Sequence, residues 1–237
     1  MANLDLILII DVETTGLNPT TDEVIELGCI LFSLSHNCVL QQVSTLVPVS
    51  MDVSPTEHIN GITAGAGYSL LDESFLEAVV EGALSATSYA DAFVAHNAKF
   101  DRDFLAPWLG DSSSPWIDSR SIQWPRAYRQ GCNLVELALC YEIPVFGNHR
   151  ALADCQLLAS IIQREPNAAQ LLAKELEPKV WATWRTVASD RDGQAKAKAA
   201  GFRWKDKNCP ADGVWSRKMH PSDVAGLGFE VVTLPCA

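Results

Sequence analysis

Paired cysteines are missing from this 237-residue chain: its seven Cys are odd in number, scattered, and nowhere in CxxC or CxxH spacing. That argues against a thiolate zinc site and against a disulfide framework. Cys29, Cys140 and Cys155 fall in apolar-periodic stretches, where a thiol behaves as a small hydrophobe. Reduced thiols are expected. The first apolar run, residues 4–12, is broken by Asp5 and far shorter than the roughly 20 residues that cross a bilayer. No Lys or Arg precedes it, so the charged segment of a signal peptide is lacking too. A cytoplasmic protein without membrane contact is expected. Internal repeats and low-complexity tracts are absent as well.

Positive charge is scarce over most of the chain. Residues 1–178 hold 8 Lys and Arg against 23 Asp and Glu, whereas 179–237 hold 10 against 6. A body of −15 therefore carries a tail of +4. An acidic body repels nucleic acid unless bound cations or a local basic surface offset it. The 48% hydrophobic and 20% charged fractions fit a globular protein with a sizeable core. The length allows one large domain, or a medium domain and a small module.

The periodicities predict an α/β order. Residues 4–12 read as a strand buried on both faces, central in its sheet. Strands at 24–34 and 39–47 complete a meander through a tight connection at Ser35-His36-Asn37. Helical spacing of Phe75, Val79, Ala83 and of Leu76, Val80, Leu84 marks a helix over 74–85. Strands at 92–95 and 115–118 alternate with helices at 100–109, 133–141 and 151–163. The expected fold is a mixed five-stranded sheet flanked by helices, spanning 1–166. Residues 167–178, bracketed by Pro166 and Pro178, read as a helical linker. A small α+β module over 179–237 has strands at 180–187, 214–219 and 230–234 and a helix at 194–200. It holds Trp181, Trp184, Trp204 and Trp215, four of the seven tryptophans.

Three acidic segments carry the chemistry. Asp11 and Glu13 end the first strand and, two residues apart, project to one side of it. Ligand crevices in open α/β sheets lie at such carboxyl ends. Asp101 follows the strand at 92–95, and Asp154 sits within a helical run five residues after His149. Each has a plainer reading alone: a solvated strand end, a carboxylate favouring a helix dipole, a surface histidine. Jointly, four carboxylates and an imidazole suit two Mg²⁺ or Mn²⁺ ions and deprotonation of a water beside them. An imidazole titrates near 6.5 when unperturbed, where it can accept that proton.

Ile10-Asp11-Val12-Glu13-Thr14-Thr15-Gly16-Leu17, Ala95-His96-Asn97-Ala98-Lys99-Phe100-Asp101 and His149-Arg150-Ala151-Leu152-Ala153-Asp154 occur in order. They resemble the three motifs of the DEDDh (DnaQ-like) 3′–5′ exonucleases, most closely exonuclease X and the proofreading epsilon subunit of bacterial DNA polymerase III. The resemblance covers residues 4–165 and implies a ribonuclease H-like fold. It implies Asp11, Glu13 and Asp154 as ligands of one metal ion, with Asp11 bridging to a second that Asp101 supports. It implies His149 as general base, and Thr14 and Thr15 as sources of backbone amides near the terminal nucleotide. Leu17 would wedge against the base, with burial under the sheet as its alternative. His58, in His58-Ile59-Asn60-Gly61-Ile62-Thr63, is similar to a substrate-proximal segment of the family, although Asn60 departs from it. Asn97 is placed near the scissile phosphate or as a helix cap, and Asp118 matches an Asp common in relatives or an N-cap.

The implied activity is two-metal hydrolysis releasing nucleoside 5′-monophosphates from single-stranded 3′ ends, DNA in preference to RNA. The alternatives are an exoribonuclease on short RNA and a non-catalytic module that binds nucleic acid or a polymerase. A polymerase or repair complex is the candidate partner. Over 179–237, Lys196, Lys198, Arg203, Lys205, Lys207, Arg217 and Lys218 interleave with tryptophans. Such a pattern can meet phosphates and unpaired bases, or form the core and solvated surface of a small module.

Overall fold

An almost unbroken apolar run makes β1, Leu6–Thr14, the middle strand of a five-stranded sheet of order β3-β2-β1-β4-β5. The computed structural model describes residues 4–63, 78, 80–82, 84–110, 113–147, 149–185 and 190–236. In it β2 is Val24–Ser33, β3 is Cys38–Leu46, β4 is Ala92–Ala95 and β5 is Trp116–Asp118. β1 pairs antiparallel with β2 and parallel with β4, so the sheet is mixed. The short link between β2 and β3 permits their antiparallel pairing, with Asn37 taking a left-handed backbone at φ 51°. Parallel β4 and β5 are joined instead through a helix.

Both faces of β1 are covered, which is why it does not alternate with polar residues. Ile7 and Ile9 enter one core with Leu158, Ile161 and Ile162. Leu8, Ile10 and Val12 enter the opposite core with Phe93, Phe104 and Leu105. Its helices include α1 (Ser54–Asn60), α2 (Ala98–Leu109), α3 (Leu134–Cys140), α4 (Ala151–Arg164) and α5 (Ala168–Glu175). α3 starts at a reciprocal cap: the Asn133 side chain accepts from the Glu136 amide, and the Glu136 carboxylate accepts from the Asn133 amide.

Three differences from the sequence-based expectations have physical causes. β1 runs on to Thr14 because β2 keeps pairing with it as far as Val24, so Asp11 and Glu13 lie within the strand. Helix α1 was not expected; it is short and mostly exposed, with Pro55 at its start and Gly61, at φ 69°, closing it. Residues 167–178 are not a linker. Ala168 and Leu172 of α5 are buried in the first core, and the first compact unit extends to Leu176. Of the helix expected at 74–85, positions 74–77, 79 and 83 lie outside the described residues.

The second unit, Glu177–Ala237, is built on an antiparallel sheet of order β7-β8-β6-β9. Its strands are β6 (Val180–Trp184), β7 (Arg203–Trp204), β8 (Trp215–Met219) and β9 (Val232–Pro235). The first was expected to reach Val187, but residues 186–189 lie outside the described ones. Helix α6, Arg191–Ala199, places Ala197 against Ala182, Trp215 and Met219 in the unit's own small core. The Asp190 side chain caps it by accepting from the Gly193 amide at 2.8 Å. None of the seven cysteines, all of them among the described residues, is in a disulfide. Among the described residues no helix is long and apolar enough to cross a membrane.

Candidate active site

Strand alternation puts Asp11 and Glu13 on the face of β1 that α4 covers. Directly opposite Asp11 on β2 stands Gly28, and opposite Glu13 stands Glu26. Gly28 leaves room for the helix. A Cβ there would lie 2.4 Å from both the Ala151 carbonyl carbon and the Leu152 nitrogen. The first turn of α4 therefore rests on the backbone of β2, and Asp154 in that turn faces the strand carboxylates.

Glu26 fixes this arrangement from below. It is 2% exposed and accepts from Arg150 Nε at 2.9 Å, Arg150 Nη2 at 2.8 Å and the Ala151 amide at 3.0 Å. The carboxylate thus satisfies the start of α4 and a guanidinium together. Sequence reasoning missed Glu26, Arg150 and Gly28 as site supports. The available signal was a lone carboxylate in the apolar strand Val24-Ile25-Glu26-Leu27, which demands a partner.

His149 is exposed, and its backbone is left-handed at φ 58°. Its amide donates to Asp154 Oδ2 at 3.0 Å, tying the loop to the helix it precedes. One ligand atom each from Glu13, His149 and Asp154 lies within 4.8 Å of the others. Asp101, buried at the start of α2, accepts from the Val12 amide at 3.2 Å. Asp11, Glu13, Asp101, His149 and Asp154 all line one cleft of about 610 Å³.

The electrostatics of this cleft are one-sided. Burial, followed by repulsion from Asp101, Asp154 and Glu13, pushes Asp11 well above the usual carboxylate range. Glu13 is pushed up to about 7 by burial and by Asp154 and Glu26, against a hydrogen bond from the Asn60 side chain and the charge of Arg150. Burial likewise raises Asp101 to about 7. Asp154 is raised by burial, opposed by the His149 amide. Four carboxylates that resist ionisation beside one another form a site whose charge a divalent cation would balance. The donor set, oxygens with one imidazole nitrogen, fits Mg²⁺ or Mn²⁺.

The other predicted residues are distributed unevenly. Asn97 lines the cleft, and its side chain makes no capping hydrogen bond to α2, so the capping role falls away. Asp118 accepts from the amides of Asn97 and Arg120, each at 3.0 Å, and so braces the loops entering the cleft. Leu17 is 85% exposed, which removes the alternative of burial under the sheet. Thr14 and Thr15 are buried, and neither lines the cleft. The Thr15 amide donates to the Glu23 carbonyl at 2.9 Å, so the turn consumes it. His58 is exposed on α1 away from the cleft walls. Asn60, close by, is the buried residue that reaches Glu13.

The family model described as Exonuclease (RNase_T) matches residues 8–162. The chain belongs to this exonuclease family. It is 29% identical over 163 residues to a PolC-type DNA polymerase III of Thermotoga petrophila, covering 66% of this chain and 12% of that protein. This exonuclease-family chain thus spans about an eighth of the PolC-type polymerases it matches. It is also 29% identical over 159 residues to the DNA polymerase III subunit epsilon of Treponema pallidum, covering 62% of this chain and 70% of that one. Among solved structures, exonuclease X in complex with 5′ overhanging duplex DNA superposes with a TM-score of 0.50 at 24% identity, over 71% of this chain and 98% of the other. The nuclease domain of 3′hExo, a DEDDh family member bound to rAMP, superposes with a TM-score of 0.52 at 17% identity, over 69% and 92%. These likenesses show the ribonuclease H-like fold. A model described only as a domain of unknown function matches residues 187–234.

Proposed function

We propose that this protein is a divalent-metal-dependent 3′–5′ exonuclease of the cytoplasm. It removes nucleoside 5′-monophosphates from single-stranded ends, DNA in preference to RNA. The observation that carries this reading is the convergence of Asp11, Glu13, Asp101, Asp154 and His149 on one cleft in which the buried acids resist ionisation. Asp11, Glu13 and Asp154 would hold one Mg²⁺ or Mn²⁺ ion, with Asp11 shared by a second that Asp101 supports. Bound there, the two ions offset the charge of the phosphodiester and of the departing oxygen.

The chain's own groups do the rest. The His149 ring takes a proton from the attacking water, whose oxygen bonds to phosphorus as the bond to the 3′ oxygen breaks. Its tethered loop keeps the imidazole beside Glu13 and Asp154. Asn97 donates to the phosphate, and Asp118 holds its backbone in place. Exposed Leu17, on the turn after β1, packs against the terminal base. The polymerase III relatives make a polymerase or repair complex the partner of choice.

The test is timed digestion of matched 3′-labelled single-stranded DNA, duplex DNA and RNA in Mg²⁺, Mn²⁺ or EDTA. Single-stranded DNA is degraded fastest from its 3′ end, and only with metal. Asp11→Asn and Asp154→Asn lose hydrolysis while keeping the wild-type circular dichroism. Hydrolysis in EDTA, or near-wild-type rates in either variant, would refute the reading.

A further inference from the structure

The second unit offers a surface the catalytic chemistry does not use. In its sheet Trp181 of β6 lies directly between Lys218 of β8 and Leu234 of β9, so these three side chains share one face. Arg203 of β7, paired with Ser216, shares that face as well. The opposite face is spent on the core, since Ala182, Trp215 and Met219 pack there against α6. Residues 206–210 wall the first face and bring Lys207 to it. The resulting groove has a volume of about 1100 Å³, with Trp181, Leu234 and Pro210 as apolar lining and Asp206 as a carboxylate in the wall.

We propose that this groove seats the single-stranded stretch of a nucleic acid, with bases on its exposed apolar lining and phosphates at Lys207 and Lys218, the track continuing to Arg203 on the same sheet face. Lys207 and Lys218 are exposed and line the groove, and exposed Arg203 lies on the same sheet face outside that lining; the apolar surface open to a ligand is that of Leu234, Pro210 and Pro235, Trp181 itself being buried. The acidic body repels nucleic acid wherever bound cations do not offset its charge, and a basic seat counters that. Single-strand binding combines these elements, a cationic track and apolar platforms, with little demand on sequence. The ligand class rests on the exonuclease reading; the groove and its charge do not. Trp204 and Trp215 contribute elsewhere, their rings tilted against each other with centroids 5.8 Å apart on the core-bearing side.

The test uses the full chain and a fluorescein-labelled long single strand in EDTA, with anisotropy read across a salt series. Each lost phosphate contact flattens the log–log salt slope by about 0.7 and lowers affinity about fivefold at 0.1 M salt. Arg203→Ala/Lys207→Ala/Lys218→Ala therefore flattens the slope by about 2 and weakens binding by up to about 100-fold. Lys196→Ala/Lys198→Ala, on the helix covering the opposite face, changes affinity by less than about fivefold. Equal losses per charge in the two variants would overturn the seat in favour of diffuse attraction. Unchanged affinity and slope in the triple variant would overturn it in favour of a protein partner. Hydrolysis of a short substrate, followed in parallel, stays at the wild-type rate. Its absence from every protein, wild type included, overturns the catalytic reading and leaves the binding comparison intact.

Discussion

Asp101→Asn should make the metal-free protein more stable while removing its activity. Asp101 is 3% exposed, and burial raises it from 3.8 to about 7. In the unfolded chain it ionises near its ordinary value. Between about pH 4 and 7 the folded protein therefore keeps a proton that the unfolded chain has released. Stability falls as pH rises through that window, and the loss is complete above the folded value of about 7. At 1.36 kcal/mol for each pH unit, the full penalty is roughly 4 kcal/mol. Asn keeps an oxygen for the Val12 amide, which Asp101 accepts at 3.2 Å, and carries no charge. The variant should thus match the wild type near pH 4, exceed it by about 2 kcal/mol at pH 5, and by up to about 4 kcal/mol at pH 8. In a body of this size that is roughly 10 °C in Tm. Thermal unfolding in EDTA at the three pH values measures it. Added Mg²⁺ or Mn²⁺ at pH 8 should raise the wild-type Tm and the variant's by less, since only the ion that Asp101 supports is lost. A variant less stable than wild type at pH 8, or an unchanged pH dependence, would sink the argument that this carboxylate is a buried charge awaiting a cation.

Two further outcomes are expected. His149→Ala lowers kcat by about 10²–10⁴, and the Mg²⁺-induced rise in Tm survives because the carboxylates remain; a loss below about tenfold speaks against the base. Gly28→Ala places a methyl 2.4 Å from the backbone of Ala151 and Leu152, so α4 must move. Urea unfolding should register a loss of about 1–3 kcal/mol, and hydrolysis should fall with it because Asp154 and His149 ride on that turn; wild-type values of both would contradict the close approach.

The sequence by itself determined what depends on neighbours along the chain. Residues 4–12 are apolar enough that only a central strand can bury them on both sides, and the structure puts β1 there. Asp11 and Glu13 share a face by strand alternation, and the helical spacing over 133–141 is found as α3. Tertiary structure alone decided the rest, because it turns on pairs far apart in sequence. Arg150 meets Glu26 across 124 positions, and Asp101 reaches the Val12 amide across 89. Gly28 matters only because a helix from residue 151 onward lands on it. Thr15 reads as a source of a free amide until the turn to Glu23 closes and takes it. Residues 167–178 read as a linker between prolines until Leu172 finds the core. In the second unit, the cations and tryptophans were plain in the composition. Which share a face was not, since that follows from the register of β6 with β8 and β9, and one residue of slip moves every side chain to the other face.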